Sequence, residues 1–402
     1  MRRRAGAWIG ALVLVLAPGW AAGASLHGRA STVLQWWERA YDGRDITPLS
    51  QYLSFVASDL WQGQDLSIRG YGQLTKDLTG GDPWRGKVFY LYADWNDLWG
   101  DRLDLAAGRQ FVQNAAGSAV MDGADLHLRV AGPVAVRLFG GGDVQYVNEY
   151  NSGDALGGFS VYLDGLEHTF AELALFTKYD KYDLARLMAG ASVSQDLWNW
   201  GRAYGDLQYD YLGDTVSETL LGLRLFPWAG WIFTGEYFES LPVFDSTSIY
   251  SVFATERYKE GRLKASYDVA PNVRLYAEVI RAWYEEGDRA FEGEVGTRMF
   301  DVYGARIDFS LNRRRGYGGE LDGFRLVAGR NFWNDHLFVE AGAEYQAFQR
   351  EEDQDDDTTS AYWGYVEYRW TRTLATSVRL ENLVDGGGEN HLEGLLRVDW
   401  DF

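Results

Sequence analysis

The sequence predicts an all-β protein: a closed antiparallel transmembrane β-barrel of 18–22 strands, about 20, with short periplasmic turns and long external loops. Three observations predict it. Along most of the chain, apolar residues recur at every second position with polar or charged residues between them. Beyond the N-terminus, no stretch approaches the ~18 consecutive apolar residues of a membrane helix. Tryptophans collect where the alternating segments end, as interfacial girdles require. Only helices and closed barrels satisfy the backbone in lipid, so alternation without apolar helices points to a barrel.

Taken in order, the chain opens on Arg2, Arg3 and Arg4, followed by an apolar run from Ala7 to Ala17 and a small-residue site at Ala22 and Ala24. Basic start, short apolar run and small-residue site describe a secretory signal peptide over residues 1–24. The run is shorter than the ~20 apolar residues of a membrane anchor. Residues 25–402 then form the barrel domain. Removing the leader deletes three arginines and no acid, so the net charge of -20 becomes -23.

Period-two segments follow throughout. Leu126, Leu128 and Val130 alternate with Asp125, His127 and Arg129; after Ala131-Gly132-Pro133, Val134, Val136 and Leu138 alternate with Ala135, Arg137 and Phe139. Val273, Leu275, Ala277 and Val279 oppose Arg274, Tyr276, Glu278 and Ile280. Near the C-terminus the same pattern covers 337–346, 362–370 and 373–381. It ends with Leu392, Gly394, Leu396, Val398, Trp400 and Phe402 opposite Glu393, Leu395, Arg397, Asp399 and Asp401. Pro133, Pro227 and Pro271 sit in tight breaks, where proline interrupts no ladder. Longer polar stretches at 141–155, 241–248, 284–297, 312–322, 350–360 and 384–391 read as the long loops. The up-and-down parity fails between 250 and 300 if 226–230 and 333–335 are both periplasmic turns. Either 270–272 is then an external turn or one segment there is not a strand. A periplasmic β-sandwich array or propeller would also alternate, but its tryptophans would occupy strand middles. Here they pair near segment ends, at Trp36-Trp37, Trp95 with Trp99, Trp198 with Trp200, and Trp228 with Trp231.

Composition narrows the chemistry. Fifty-eight acids against 38 bases leave no basic face for nucleic acid. Absence of cysteine excludes a disulfide framework, a thiolate metal site, covalent haem and an N-terminal lipidated cysteine. The five histidines are scattered and none shares metal-ligand spacing with another, so no cofactor is expected. No nucleophile motif is present, and the chain reads as a non-enzyme. The acidic run Glu351, Glu352, Asp353, Asp355, Asp356 and Asp357 is a weak candidate for divalent cations bridging anionic lipid. It lacks the glycine punctuation of a calcium loop and reads more simply as a solvated loop. Arg313-Arg314-Arg315 lies in another polar stretch and suits lipid phosphates or that acidic loop equally well.

The leader, the alternating strands and the terminal Val398-Asp399-Trp400-Asp401-Phe402 make the chain resemble the bacterial outer-membrane β-barrel superfamily, and porins within it. The resemblance implies insertion into the outer membrane of a Gram-negative bacterium. Val398, Trp400 and Phe402 would be the sorting signal read by the barrel-assembly machinery, with outer-membrane lipid and lipopolysaccharide as surroundings. A finer likeness rests on Leu105-Ala106-Ala107-Gly108-Arg109-Gln110-Phe111 with Met121-Asp122-Gly123-Ala124, echoed at Leu326-Val327-Ala328-Gly329-Arg330-Asn331-Phe332. It is similar to large porin-like barrels, some conducting solutes and others sheathing multihaem cytochromes. A plainer reading is that Gly eases a bend and Arg sits at the interface.

If the apolar face meets lipid, the opposite face lines the lumen. Candidate lumen residues are Asp125, His127, Arg129, Arg137, Arg274, Glu278, Arg325, Glu340, Glu344, Glu367, Arg369, Arg379, Glu381, Glu393 and Arg397. The assignment rests on the cost of charge in lipid, about 2–4 kcal/mol for Arg or Lys at the midplane. Facing ladders of opposite sign would order water and screen permeants; paired to each other, they would merely stiffen the barrel. The expected function is a channel for small polar solutes or ions. The alternative is a structural barrel that sheaths or anchors a partner such as a multihaem cytochrome, and a surface adhesin is a third reading.

Overall fold

The computed structural model describes residues 24–39, 43–61, 64–145, 153–248, 256–285, 287–349 and 357–402. The leader up to residue 23 and the acidic run from Glu351 to Asp356 therefore lie outside the described residues. Among those described, all 23 strands belong to one sheet. One of them, β2 (Arg44–Ile46), is a three-residue extension paired to the end of β1 (Ser25–Arg39), which leaves 22 strands of 10 to 15 residues. That length suits the 9–11 residues of a tilted spanning strand plus its interfacial ends. No described helix is long and apolar enough to cross a membrane.

By compactness the chain divides into two units. The first holds β1, β3 (Pro48–Ser58), β4 (Asp65–Asp77), β5 (Arg85–Asp97), most of β6 (Leu103–Asn114), and, at the other end of the sequence, β21 (Asp357–Arg369), β22 (Leu374–Val384) and β23 (Asn390–Asp401). Its ladder is antiparallel throughout. The decisive pairing joins the ends of the chain. β1 bonds β3 on one side and β23 on the other, with Arg29 opposite Asp401 and Val33 opposite Arg397. The backbones of Gly28 and Phe402 exchange two hydrogen bonds of 3.0 Å. The first and last spanning strands thus cover each other's edge, and the sheet is a closed antiparallel barrel.

The second unit is an unbroken antiparallel run from β7 to β18: β7 (Gly117–Ala131), β8 (Val134–Asp143), β9 (Ala155–Leu166), β10 (Thr169–Asp180), β11 (Asp183–Leu197), β12 (Gly201–Asp210), β13 (Thr215–Leu225), β14 (Trp231–Ser240), β15 (Tyr258–Ala270), β16 (Val273–Tyr284), β17 (Arg289–Val302) and β18 (Ala305–Gly316). β19 (Glu320–Phe332) and β20 (Leu337–Gln349) are divided between the units.

Registers sort the side chains by face. Val398, Trp400, Val378, Leu380, Tyr362 and Val366 are exposed apolar groups on one face, with Arg397, Asp399, Arg379 and Glu367 opposite. In the second unit Leu138, Phe159, Leu173, Leu175, Val193, Leu263, Val295 and Leu311 form the apolar face, and Phe139, Ser160, Ala174, Phe176 and Met188 are buried on the other. The buried face is the inside. Aromatic residues mark the short turns of each unit. Trp99 and Trp333 in the first, and Trp198 and Tyr303 in the second, stand on turns with left-handed φ and are strongly exposed.

Two expected long loops are strands. Residues 284–297 are mostly β17 and 312–322 belong mostly to β18 and β19. Their charge misled because Glu292, Glu294 and Arg314 face inward, where charge is as natural as in a loop. The parity difficulty dissolves with them. β14, β15 and β16 alternate in direction, so the turn at 271–272 and the break at 226–230 lie at the same end, and the end of β14 and the start of β15 lie at the other.

The seam is sterically tight. A Cβ on Gly28 would lie 2.5 Å from the Phe402 ring and 2.6 Å from the Ser54 carbonyl. Gly28→Val is expected to destabilise the barrel by about 1–3 kcal/mol through overpacking. The measurement is the temperature at which the compact, fast-migrating form converts to the unfolded form in a denaturing gel, which should fall.

Candidate functional site along the inner wall

In the first unit the inner face of β21–β23, β1, β3 and β4 surrounds a cavity of about 670 Å³ lined by Arg29, Arg379, Arg397, Glu367, Asp399 and the rings of Tyr52, Tyr71 and Tyr365, among others. Its charges are tied to one another. Arg29 grips Asp401 through two bonds of 2.5 and 3.0 Å, Arg397 donates to Asp399 at 2.8 Å, and Ser31 donates to Asp399 at 2.5 Å. Arg379 donates to Glu381 and Arg369 to Glu367, each at 2.8 Å, while the Tyr365 hydroxyl donates to Glu367 at 2.8 Å. Arg379 also lies 5.7 Å over the Trp363 ring. The cavity wall thus carries fixed pairs, each with oxygen or guanidinium edges still open to water.

The second unit has a more unusual inner wall. The tip of the β6–β7 hairpin, Ala115-Ala116, does not stand out into solvent; it lies against the inner face of β10 and β11. A Cβ on Gly190, halfway along β11, would fall 2.2 Å from the Ala115 carbonyl group, so only glycine admits the tip at this position. Val112, Ala116 and Met121 of the hairpin pack on Phe139, Leu156, Ala174, Phe176 and Met188 of the wall, all buried. Asn114 fixes the turn. Its amide nitrogen donates to the Leu175 carbonyl at 3.0 Å, and its oxygen accepts from the Ala116 and Gly117 amides at 3.0 Å each. Arg137 binds Asp125 through bonds of 2.6 to 3.1 Å and also donates to the Gln113 carbonyl of β6 at 2.6 Å. One guanidinium therefore joins the wall to the tucked hairpin, a use that suits its planar fork.

A second segment also turns inward. Asp245, in the connection after β14, accepts from Lys178 and Arg186 at 2.9 Å each, and Lys178 reaches Asp143 at 3.0 Å. Ser246 bonds the backbone of Ala185 and Leu184. Further along, Arg262 stands between Glu260 at 3.0 Å, Glu278 at 3.5 Å and Glu236 at 3.7 Å, with Lys264 on Glu278 at 2.6 Å. Tyr276 donates to Glu294 at 2.5 Å.

The candidate lumen residues fall as follows. Asp125, His127, Arg129 and Arg137 share the inner face of β7 and β8; Arg274 and Glu278 share that of β16. Glu367, Arg369, Arg379, Glu381, Glu393 and Arg397 share that of β21–β23. Arg325 alternates with the exposed Phe324 and Leu326 on β19, and Glu340 and Glu344 alternate with the exposed Tyr345 on β20. The structure brings Asp125 to Arg137, Arg379 to Glu381 and Arg369 to Glu367, and gives Arg274 a partner not singled out, Asp268 at 2.6 Å. Sequence reasoning missed Asn114, Lys178, Arg186, Asp143 and Asp245, because what matters is a hairpin folding back on its own wall. The available signal was the run of small residues Ala115-Ala116-Gly117, too short for an external loop. It also missed Asp385 and Glu389 of the β22–β23 turn and His391 at the start of β23, whose ligand atoms lie within 4.8 Å of one another. Two of the three are carboxylates, so histidine spacing was blind to them. In the motif and its echo, Arg109 lies opposite Leu91 and donates to the Val88 carbonyl at 3.2 Å, Phe111 is exposed, and Arg330 lies 5.3 Å over the Phe332 ring.

No known family and no curated protein matches the sequence. Solved structures do. The translocation pore of the P pilus usher PapC aligns over 94% of this chain and 99% of its own, at 11% identity and a TM-score of 0.51. Pseudomonas aeruginosa OccK9 (OpdG) aligns over 96% and 99%, at 14% identity and 0.49, and Acinetobacter baumannii OccAB3 over 95% and 100%, at 10% identity and 0.47. At such identities the likeness is one of fold. Together the closed sheet, the apolar outer face and the aromatic turns define a β-barrel that crosses a membrane with its strands.

Asn114→Ala removes three hydrogen bonds at the tucked tip, and local stability there is expected to fall by about 1–3 kcal/mol. Amide hydrogen exchange at Ala116 and Gly117 should accelerate accordingly, while exchange in β14–β16 stays unchanged.

Proposed function

We propose that the barrel is a diffusion channel for small polar solutes or ions, whose selectivity comes from lumen charge rather than tight binding. The observation that carries this reading is the hairpin tip held halfway along the inner wall. A buried apolar patch of Val112, Met121, Phe139 and Phe176 lies beside the Asp125–Arg137 pair. The packed patch holds the hairpin in the interior, where it takes up cross-section, and the charged pair beside it keeps the passage polar, so solutes are sorted by size and hydration, which is channel chemistry. Within each unit the inward charges pair with one another, which keeps the wall rigid while leaving it polar. A sheath for a protein partner is favoured by no specific feature, and the tucked hairpin occupies inner wall that a partner would need. Val398, Trp400 and Phe402, on the outer face of the closing strand, serve as the signal for assembly into the membrane. No residue is assigned a catalytic role.

The test is conductance of the purified, folded chain in a planar bilayer. Discrete open steps are expected, and Phe176→Ala, which loosens the packing that holds the hairpin tip against the wall, should make the single-channel current noisier than in wild type. Asp125→Asn leaves Arg137 without its carboxylate and should move the reversal potential in a salt gradient toward anion preference. A folded barrel that never opens a conducting path would overturn the channel reading.

A further inference from the structure

The run Arg313-Arg314-Arg315 is split by the strand that carries it. On β18, Arg314 faces inward opposite Glu292 and donates to the Tyr317 carbonyl at 3.1 Å. Arg313 and Arg315 face outward. Register then builds a patch around them across four consecutive strands. Arg315 lies opposite Phe291 of β17, and Phe291 opposite Arg281 of β16; Arg289 lies opposite Trp283, and Trp283 opposite Lys259 of β15. Five cations therefore alternate with two aromatic rings on the outer face, in a chain whose formal charge is -20.

Depth is fixed by the same ladders. Leu263, Val279, Val295 and Leu311 continue the outer face toward the barrel middle and are exposed, as the lipid-facing band must be. The cations sit just beyond that band, at the ends of β15–β18 that carry the 241–257 connection. Barrels place their long connections outside the cell and their short turns in the periplasm, so this is the external leaflet. Neutralisation is incomplete. Arg313 reaches Asp322 at 3.3 Å, Arg315 reaches Glu320 at 3.6 Å and Lys259 reaches Glu239 at 3.7 Å, with the arginines and their acids more than half exposed. Among the described residues neither Arg281 nor Arg289 forms an ion pair; Arg281 lies 5.5 Å over the Trp283 ring. The turn acids Glu285 and Asp288 stand beyond the strand ends.

We propose that this patch binds the phosphates of lipid A, the phosphorylated acyl-disaccharide of the external leaflet. The planar guanidinium fork takes phosphate oxygens two at a time, which suits four arginines to one lysine. Trp283 and Phe291 lie at the depth of the sugar and the first acyl carbons, where aromatic rings favour the interface. The exposed carboxylate pairs exchange for phosphate at little cost, since solvent already screens them. The inference rests on outer-membrane placement and not on conduction.

The experiment is native mass spectrometry of the folded, full-length barrel released from detergent with bisphosphorylated lipid A, monophosphoryl lipid A or phosphatidylglycerol. Wild type should retain bisphosphorylated lipid A best and phosphatidylglycerol least. Arg281→Gln, Arg289→Gln, Arg313→Gln and Arg315→Gln together should weaken lipid A retention by about tenfold, with heat-modifiable migration and conductance unchanged. Arg314→Gln, one residue away but inward, should leave retention intact. Equal retention by the four-site variant, equal retention of phosphatidylglycerol, or an equal loss in Arg314→Gln would overturn the proposal. A wild-type chain that binds lipid A but never conducts would count against the channel alone.

Discussion

Hydrocarbon offers the backbone no hydrogen-bond partner, so a sheet that crosses it has no tolerable edge. Everything else in this molecule depends on the meeting of β1 with β23. The seam is built from small and planar pieces: Gly28 leaves room for the Phe402 ring, and the two residues exchange backbone bonds. On the inner side Arg29 with Asp401 and Ser31 with Asp399 repeat the pairing in side chains. With no edge left, each residue has two possible destinations, lipid or interior, and its parity chooses.

Closing the sheet leaves the question of what fills it. The inner wall of the β7–β18 unit is lined by small residues at Gly158, Ser160, Ala174 and Gly190, and the β6–β7 hairpin tip occupies the space they leave. Apolar packing inside a barrel is costly to leave wet, which is why Val112 and Met121 sit fully buried rather than facing the lumen. Asn114 and Arg137 supply the direction that apolar contact lacks: one holds the turn, the other anchors its strand to the wall. The same logic repeats at the Asp245 connection, pinned by two cations. The wall and the segment that packs on it are here neighbours in the chain, so a single substitution at the tip alters the interior without touching the barrel.

The fold was legible because its signal is repeated in almost every segment, and errors in one strand do not propagate into the class. Val398, Trp400 and Phe402 against Arg397, Asp399 and Asp401 already state both faces. The strand count was harder, since inward-facing Glu292, Glu294 and Arg298 give β17 the composition of a loop. Which candidate residues would share a face followed from parity. Which would touch did not: Arg274 finds Asp268 across a turn, and Arg262 finds three glutamates on three strands, through registers that alternation alone does not set. The tucked hairpin was invisible for a different reason. Nothing in a period-two pattern says whether a turn stands up or folds back; only the glycine at position 190 of a distant strand permits it.

Arg313-Arg314-Arg315 shows what parity adds to composition. Three identical side chains in a row meet three different conditions, because Arg314 enters the interior beside Glu292 while its neighbours stand in the headgroup layer beside Phe291 and Trp283. A whole-chain charge of -20 therefore predicts neither environment. What a charge experiences in a barrel is decided by face and by distance from the apolar band. On one face it meets fixed counter-charges within a few ångströms, on the other a lipid surface whose own phosphates are the available partners. An acidic protein can in this way carry a cationic patch on its outer face and paired charges on its inner one, with the two separated by the thickness of one strand.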